Sequence, residues 1–104
     1  MQHDLIVVGG GLIGASFARA ARGRRIALVE SSQRVTGADV AAPDSFDSRV
    51  YALSPGSVAF LEEINVWQAF APVRKTPVHA MRVRGDDGAA GLEFNAYDAG
   101  VPEL

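Results

Sequence analysis

The sequence predicts an α/β chain: a βαβ unit whose parallel sheet is incomplete, then a second helix and a short β-hairpin. Three observations predict it. Leu5-Ile6-Val7-Val8 and Ile26-Ala27-Leu28-Val29 are aliphatic runs without polar alternation, the pattern of parallel strands buried on both faces. Gly9-Gly10-Gly11 follows the first run and opens into residues 12–21, where Ile13, Phe17 and Ala21 recur on one helical face. Residues 79–84 and 92–97 alternate in polarity around Asp86-Asp87-Gly88, a hairpin signal.

The elements follow in order. Gly23 suits the stop of the first helix, with Arg22, Arg24 and Arg25 near the negative end of its dipole. Strand, glycine turn, helix and strand make a βαβ unit within about 30 residues. Residues 34–47 have no sustained period and mix Thr36, Gly37, Asp39, Pro43, Asp44 and Asp47, which reads as an ordered excursion or a mobile loop. Arg49-Val50-Tyr51-Ala52-Leu53 then leads, extended, into a helix with Ser54 as N-cap and Pro55 at the first helical position. Val58, Leu61 and Ile64 share its apolar face, and Asn65 stands where a left-handed stop residue is wanted. Trp67 and Phe70 continue as a short apolar turn and read as core packing.

Composition narrows the function classes. With 48% hydrophobic and 21% charged residues in 104, the chain is one globular domain or a piece of one. Ten basic against twelve acidic residues leave a charge of -2, with no positive excess to hold a nucleic-acid backbone. The absence of cysteine removes thiolate metal sites and cysteine nucleophiles, and two histidines, His3 and His79, make no metal cluster. The longest uncharged run, residues 5–18, holds four glycines and falls short of the roughly 18–20 apolar residues of a membrane span. Asp4 and the glycines also argue against a secretory signal.

The chemistry lies in Gly9-x-Gly11-x-x-Gly14. A lone glycine pattern is weak, but here a buried strand precedes it, a helix follows, and Glu30 ends the next strand about 20 residues on, as a Rossmann-like dinucleotide-binding unit requires. Gly9 permits the tight turn, Gly11 lets a pyrophosphate approach the backbone, and Gly14 lets the helix pack closely on the strand. The free N–H groups of the first helical turn and the positive end of its dipole attract the pyrophosphate without a lysine. The only lysine is Lys75, so no P-loop is present. Glu30 accepts hydrogen bonds from ribose hydroxyls and repels a 2′-phosphate, which selects FAD or NAD over NADP at this site. Ser16 does not sit in a Gly-x-Ser-x-Gly elbow, and Arg84-Gly85-Asp86 is explained by the hairpin turn.

Three stretches resemble the FAD-dependent aromatic hydroxylases of the para-hydroxybenzoate hydroxylase class, and among them the ubiquinone-biosynthesis hydroxylases. They are residues 4–16 with their triple glycine, Asp47-Ser48-Arg49-Val50-Tyr51-Ala52-Leu53-Ser54-Pro55-Gly56-Ser57, and Phe60-Leu61-Glu62-Glu63-Ile64-Asn65-Val66-Trp67. The resemblance implies a flavin monooxygenase that takes electrons from NAD(P)H and transfers one oxygen of dioxygen to an activated aromatic ring of a small aromatic or prenylated substrate. Carried over by position, Gly9, Gly11 and Gly14 match the pyrophosphate loop, Glu30 the ribose acid and Arg49 an arginine that reaches FAD. A guanidinium can make paired hydrogen bonds to phosphate oxygens. No catalytic residue is assigned.

Family enzymes are several times longer, so residues 1–104 are expected to be the N-terminal part of an FAD-binding domain, inactive alone. Two parallel strands cannot cover their own apolar faces, so the piece by itself is expected to expose apolar surface and self-associate. The expected location is the cytoplasm, with peripheral contact to the inner membrane in the full-length enzyme. An NAD-dependent dehydrogenase and a non-catalytic nucleotide-binding or assembly module remain the alternatives.

Overall fold

A computed structural model of the chain describes residues 2–32 and 48–104. The excursion expected over residues 34–47, including Asp47 of the Asp-x-Arg segment, lies outside the described residues. The chain divides into two compact units, residues 1–52 and 53–104.

The first unit carries strand β1 (Leu5–Val8), helix α1 (Leu12–Ala20) and strand β2 (Ile26–Val29). β1 and β2 pair in parallel, Leu5 opposite Ile26 through Val8 opposite Val29. Asp4 clamps the start of the pair. Its carboxylate accepts the Arg25 backbone amide at 2.9 Å and pairs with the Arg25 guanidinium at 2.8 Å. That guanidinium, and then the Arg25 amide, hold the Asp4 carboxyl below its ordinary value. At the other end, the Gly9 amide donates to the Val29 carbonyl at 2.8 Å, carrying the pairing into the turn.

Two expectations are corrected here. The stripe Ile13–Phe17 does not face the sheet: Ile13 is 83% exposed and Phe17 52%. Gly14, Ser16 and Ala18 are half-buried instead, and of the predicted stripe only Ala21 is. The apolar stripe says which face could be covered, whereas the close approach of Gly14 to the end of β1 sets the helix rotation, about 100° away from the Ile13 side. Nor is β1 buried on both faces, since Ile6 and Val8 are 68% and 82% exposed. No described element of the first unit covers that side.

The second unit carries α2 (Pro55–Glu63), two 3-10 turns (Trp67–Ala69 and Pro72–Arg74), antiparallel strands β3 (Ala80–Arg84) and β4 (Gly91–Asn95), and α3 (Ala96–Ala99). α2 starts and stops as its residues dictate. The Ser54 hydroxyl accepts the Ser57 amide at 3.3 Å, and Pro55 needs no partner at the first helical position. At its end Asn65 is left-handed at φ 58°. The Val66 amide then reaches back to Leu61 carbonyl at 2.8 Å and the Asn65 amide to Glu62 carbonyl at 2.9 Å, a Schellman stop. Leu61 and Ile64 are buried, as the periodicity predicts, and so is Ala96 of the same unit.

Trp67 and Phe70 meet edge to face at 6.0 Å, and Lys75 sits 4.9 Å over the Trp67 ring while donating to the Trp67 carbonyl at 3.3 Å. The hairpin forms with Met81 opposite Phe94 and Val83 opposite Leu92, and with Arg82 bonded to Glu93 at 2.9 Å. Its turn runs through left-handed Gly88, and the Asp87 carboxylate accepts the Ala89 amide at 3.1 Å. The second strand is shorter than the alternation suggests. Asn95 caps a new turn by accepting the Asp98 amide at 2.7 Å, and left-handed Gly100 ends it, so residues 96–97 are helical. No helix among the described residues is long and apolar enough to cross a membrane.

The stop at Asn65 gives a direct check. Asn65→Gly is expected to hold or raise stability, whereas Asn65→Val lowers it by about 1–2 kcal/mol because a β-branched residue disfavours the left-handed region. Chemical denaturation of the complete polypeptide reads both.

Candidate functional site

The site grows from the turn between β1 and α1. Gly9 leaves the strand at φ 96°, a conformation that side chains with a Cβ rarely adopt. Gly14 then lies against that turn: a Cβ added there would stand 1.9 Å from the Gly9 carbonyl oxygen and 3.4 Å from Val7 Cγ1. Only a residue without a side chain permits this approach. A Cβ at Gly11 would meet nothing within 4 Å among the described residues, so none of them requires glycine there.

Gly11 is the N-cap of α1, with extended backbone and no side-chain cap. Ala15 is the first residue to donate to an i−4 carbonyl, that of Gly11 at 2.9 Å, so the Leu12, Ile13 and Gly14 amides precede the helical ladder. The first turn holds no acidic residue. An uncapped first turn with its positive dipole end unneutralised suits an anionic group.

Glu30 follows directly after β2, and its carboxylate is fixed although exposed. Oε2 accepts the Gly10 amide at 2.6 Å. Oε1 accepts the Ser32 amide at 2.9 Å and the Ser31 hydroxyl at 3.2 Å. These donors, the Ser32 amide first and the Gly10 amide next, pull its carboxyl down to about 2. It is therefore a carboxylate throughout the physiological range. Each carboxylate oxygen offers two lone pairs, so Oε2 keeps one for an incoming hydroxyl, and Oε1 gains one if the exposed Ser31 hydroxyl turns away.

Gly9, Gly14 and Glu30 are thus gathered at one end of the β1–β2 pair, with Gly11 opening the helix there. Arg49 lies in an exposed, irregular stretch of the same unit. Spacing alone pointed to the acid but not to what holds it. Gly10, Ser31 and Ser32 went unnoticed, and the third glycine of the cluster was the one signal that could have flagged the first of them.

An adenosine diphosphate fits these residues: open backbone at Gly11, uncapped amides for the diphosphate, and an ionised acid with a free lone pair for ribose. No family model matches the chain. In sequence it is similar to monooxygenases of ubiquinone biosynthesis, in agreement with the resemblance carried by its motifs. One relative, ubiquinone biosynthesis monooxygenase COQ6, mitochondrial, from Danio rerio, is 28% identical over 86 residues, covering 77% of this chain and 17% of the relative. The proteins of that name from Xenopus tropicalis and Drosophila melanogaster are 26% and 27% identical, covering 78% and 89% of this chain and 18% and 20% of theirs. The chain thus spans about a fifth or less of the length of these relatives.

Two outcomes test the geometry. Gly14→Ala is expected to destabilise the complete polypeptide by about 3 kcal/mol, because backbone must move to admit the methyl group. The Glu30 carboxyl is expected to titrate near 2 by carbon-13 NMR. Since its folded value lies below the ordinary 4.5, its stabilisation is present above pH 4.5 and is lost as pH falls toward 2. Glu30→Gln removes that part of the acid sensitivity.

Proposed function

We propose that this chain is the amino-terminal part of a Rossmann-like FAD-binding domain, belonging to a flavin-dependent monooxygenase that hydroxylates the aromatic ring of a ubiquinone-biosynthesis precursor. The observation that carries the reading is the conjunction at one strand end: Gly14 packed on Gly9, an uncapped α1 and an ionised Glu30 tied to Gly10. Similarity to proteins named as ubiquinone biosynthesis monooxygenases supports the choice of reaction and pathway.

In this reading the Leu12 and Ile13 amides and the bare backbone of Gly11 hold the diphosphate, with α1 supplying the positive dipole end. Glu30 takes the ribose hydroxyls and rejects a 2′-phosphate by charge. Arg49 adds paired hydrogen bonds to phosphate oxygens. FAD, once bound and reduced by NAD(P)H, supplies the oxygen-activating chemistry, and the flavin ring and substrate lie against parts of the protein outside these residues. The cytoplasm, with peripheral contact to a membrane that carries the lipophilic substrate, is the location that suits such an enzyme.

The complete polypeptide, purified without added cofactor, is expected to be yellow and to release FAD on denaturation. Glu30→Ala and Arg49→Ala are each expected to raise the FAD dissociation constant about tenfold or more, from the loss of charge-assisted hydrogen bonds. A colourless protein that binds NAD with micromolar affinity and no flavin would favour a dehydrogenase instead. Unchanged FAD affinity in both variants would remove these residues from the site.

A further inference from the structure

We propose that Gly10 is the positioning residue for the Glu30 carboxylate: its amide seats the acid so closely that a side chain at position 10 crowds it. The proposal rests on the FAD reading above. The pattern Gly-x-Gly-x-x-Gly leaves this position open, and none of the roles of Gly9, Gly11 or Gly14 calls for glycine here.

Two observations at Gly10 converge. Its N–H lies 2.6 Å from Glu30 Oε2. A Cβ built on it would stand 3.0 Å from that same oxygen, and 3.3 and 3.4 Å from Glu30 Cβ and Cγ. Backbone conformation is not the reason for glycine, since Gly10 is absent from the positive-φ glycines among the described residues, where Gly9 is present. The neighbouring acid is.

The seat matters because Glu30 is exposed, and an exposed glutamate otherwise samples several rotamers at a loss of ordered contact. The Ser31 and Ser32 donors orient Oε1 but belong to the segment that carries Glu30, so they move with it. The Gly10 amide ties Oε2 to the glycine turn itself. It thereby fixes the spacing between the ribose acid and the diphosphate cradle, two groups that one adenosine diphosphate must engage together. A methyl group at position 10 forces the carboxylate back by a few tenths of an ångström, and a branched side chain displaces it.

The test uses the complete polypeptide with four variants: Gly10→Ala, Gly10→Val, Glu30→Ala and the double variant Gly10→Val/Glu30→Ala. FAD affinity is read by flavin fluorescence, and the Glu30 titration by carbon-13 NMR of the apoprotein. Gly10→Val is expected to weaken FAD about tenfold in the wild-type background, to add nothing further to Glu30→Ala, and to move the Glu30 midpoint up toward the ordinary carboxylate range. Gly10→Ala is expected to shift both readouts in the same direction by less, and it carries the comparison should the valine variant not fold. An equal loss of affinity in both backgrounds, or an unmoved Glu30 midpoint, would overturn the positioning role while leaving the ribose reading intact. If Glu30→Ala itself binds FAD normally, the ribose reading fails, and this proposal fails with it.

Discussion

The first unit depends on one contact that contains no side chain: the backbone of Gly14 against the carbonyl of Gly9. Because that approach admits no Cβ, it fixes both the distance and the rotation of α1 on the strand pair. The rotation turns Ile13 and Phe17 outward and leaves the amides of the first turn uncapped at the strand ends. Packing and binding geometry thus follow from the same constraint, and a helix set by its apolar stripe alone would sit differently.

The electrostatics of the site are built from backbone. Two amides and a hydroxyl aimed at Glu30 keep it ionised, and no cation is paired with it among the described residues. In the proposed reading the diphosphate is likewise held by amides and a helix dipole, and the only lysine of the chain is occupied at Trp67 in the second unit. A site assembled this way discriminates by shape and by sign at one oxygen pair. That suits recognition of an adenosine diphosphate with an unmodified ribose.

Legibility in the sequence followed the range of the interaction. Ser54, Pro55 and Asn65 act on their own helix, so α2 could be read from its first residue to its Schellman stop. Gly9 and Gly14 were readable because each answers a steric demand of the strand-turn-helix itself, whereas Gly11 meets none from the described residues. The face of α1 was not readable, because apolar periodicity describes what a helix can bury and not the contact that orients it. The end of β4 was misjudged for a local reason: alternation continues through residues 96–97, but the Asn95 side chain takes the Asp98 amide and starts a turn. Gly10 escaped notice because its reason for being glycine lies twenty residues away, and Arg49 enters through resemblance alone.

The most direct measurement is a crystal structure of the complete polypeptide grown with FAD. The account predicts diphosphate oxygens within hydrogen-bond distance of the Gly11–Ile13 amides, and ribose hydroxyls on Glu30 with the Gly10 amide still bonded to its carboxylate. Flavin bound at any other strand end, with the β1–α1 turn left to solvent, would contradict it.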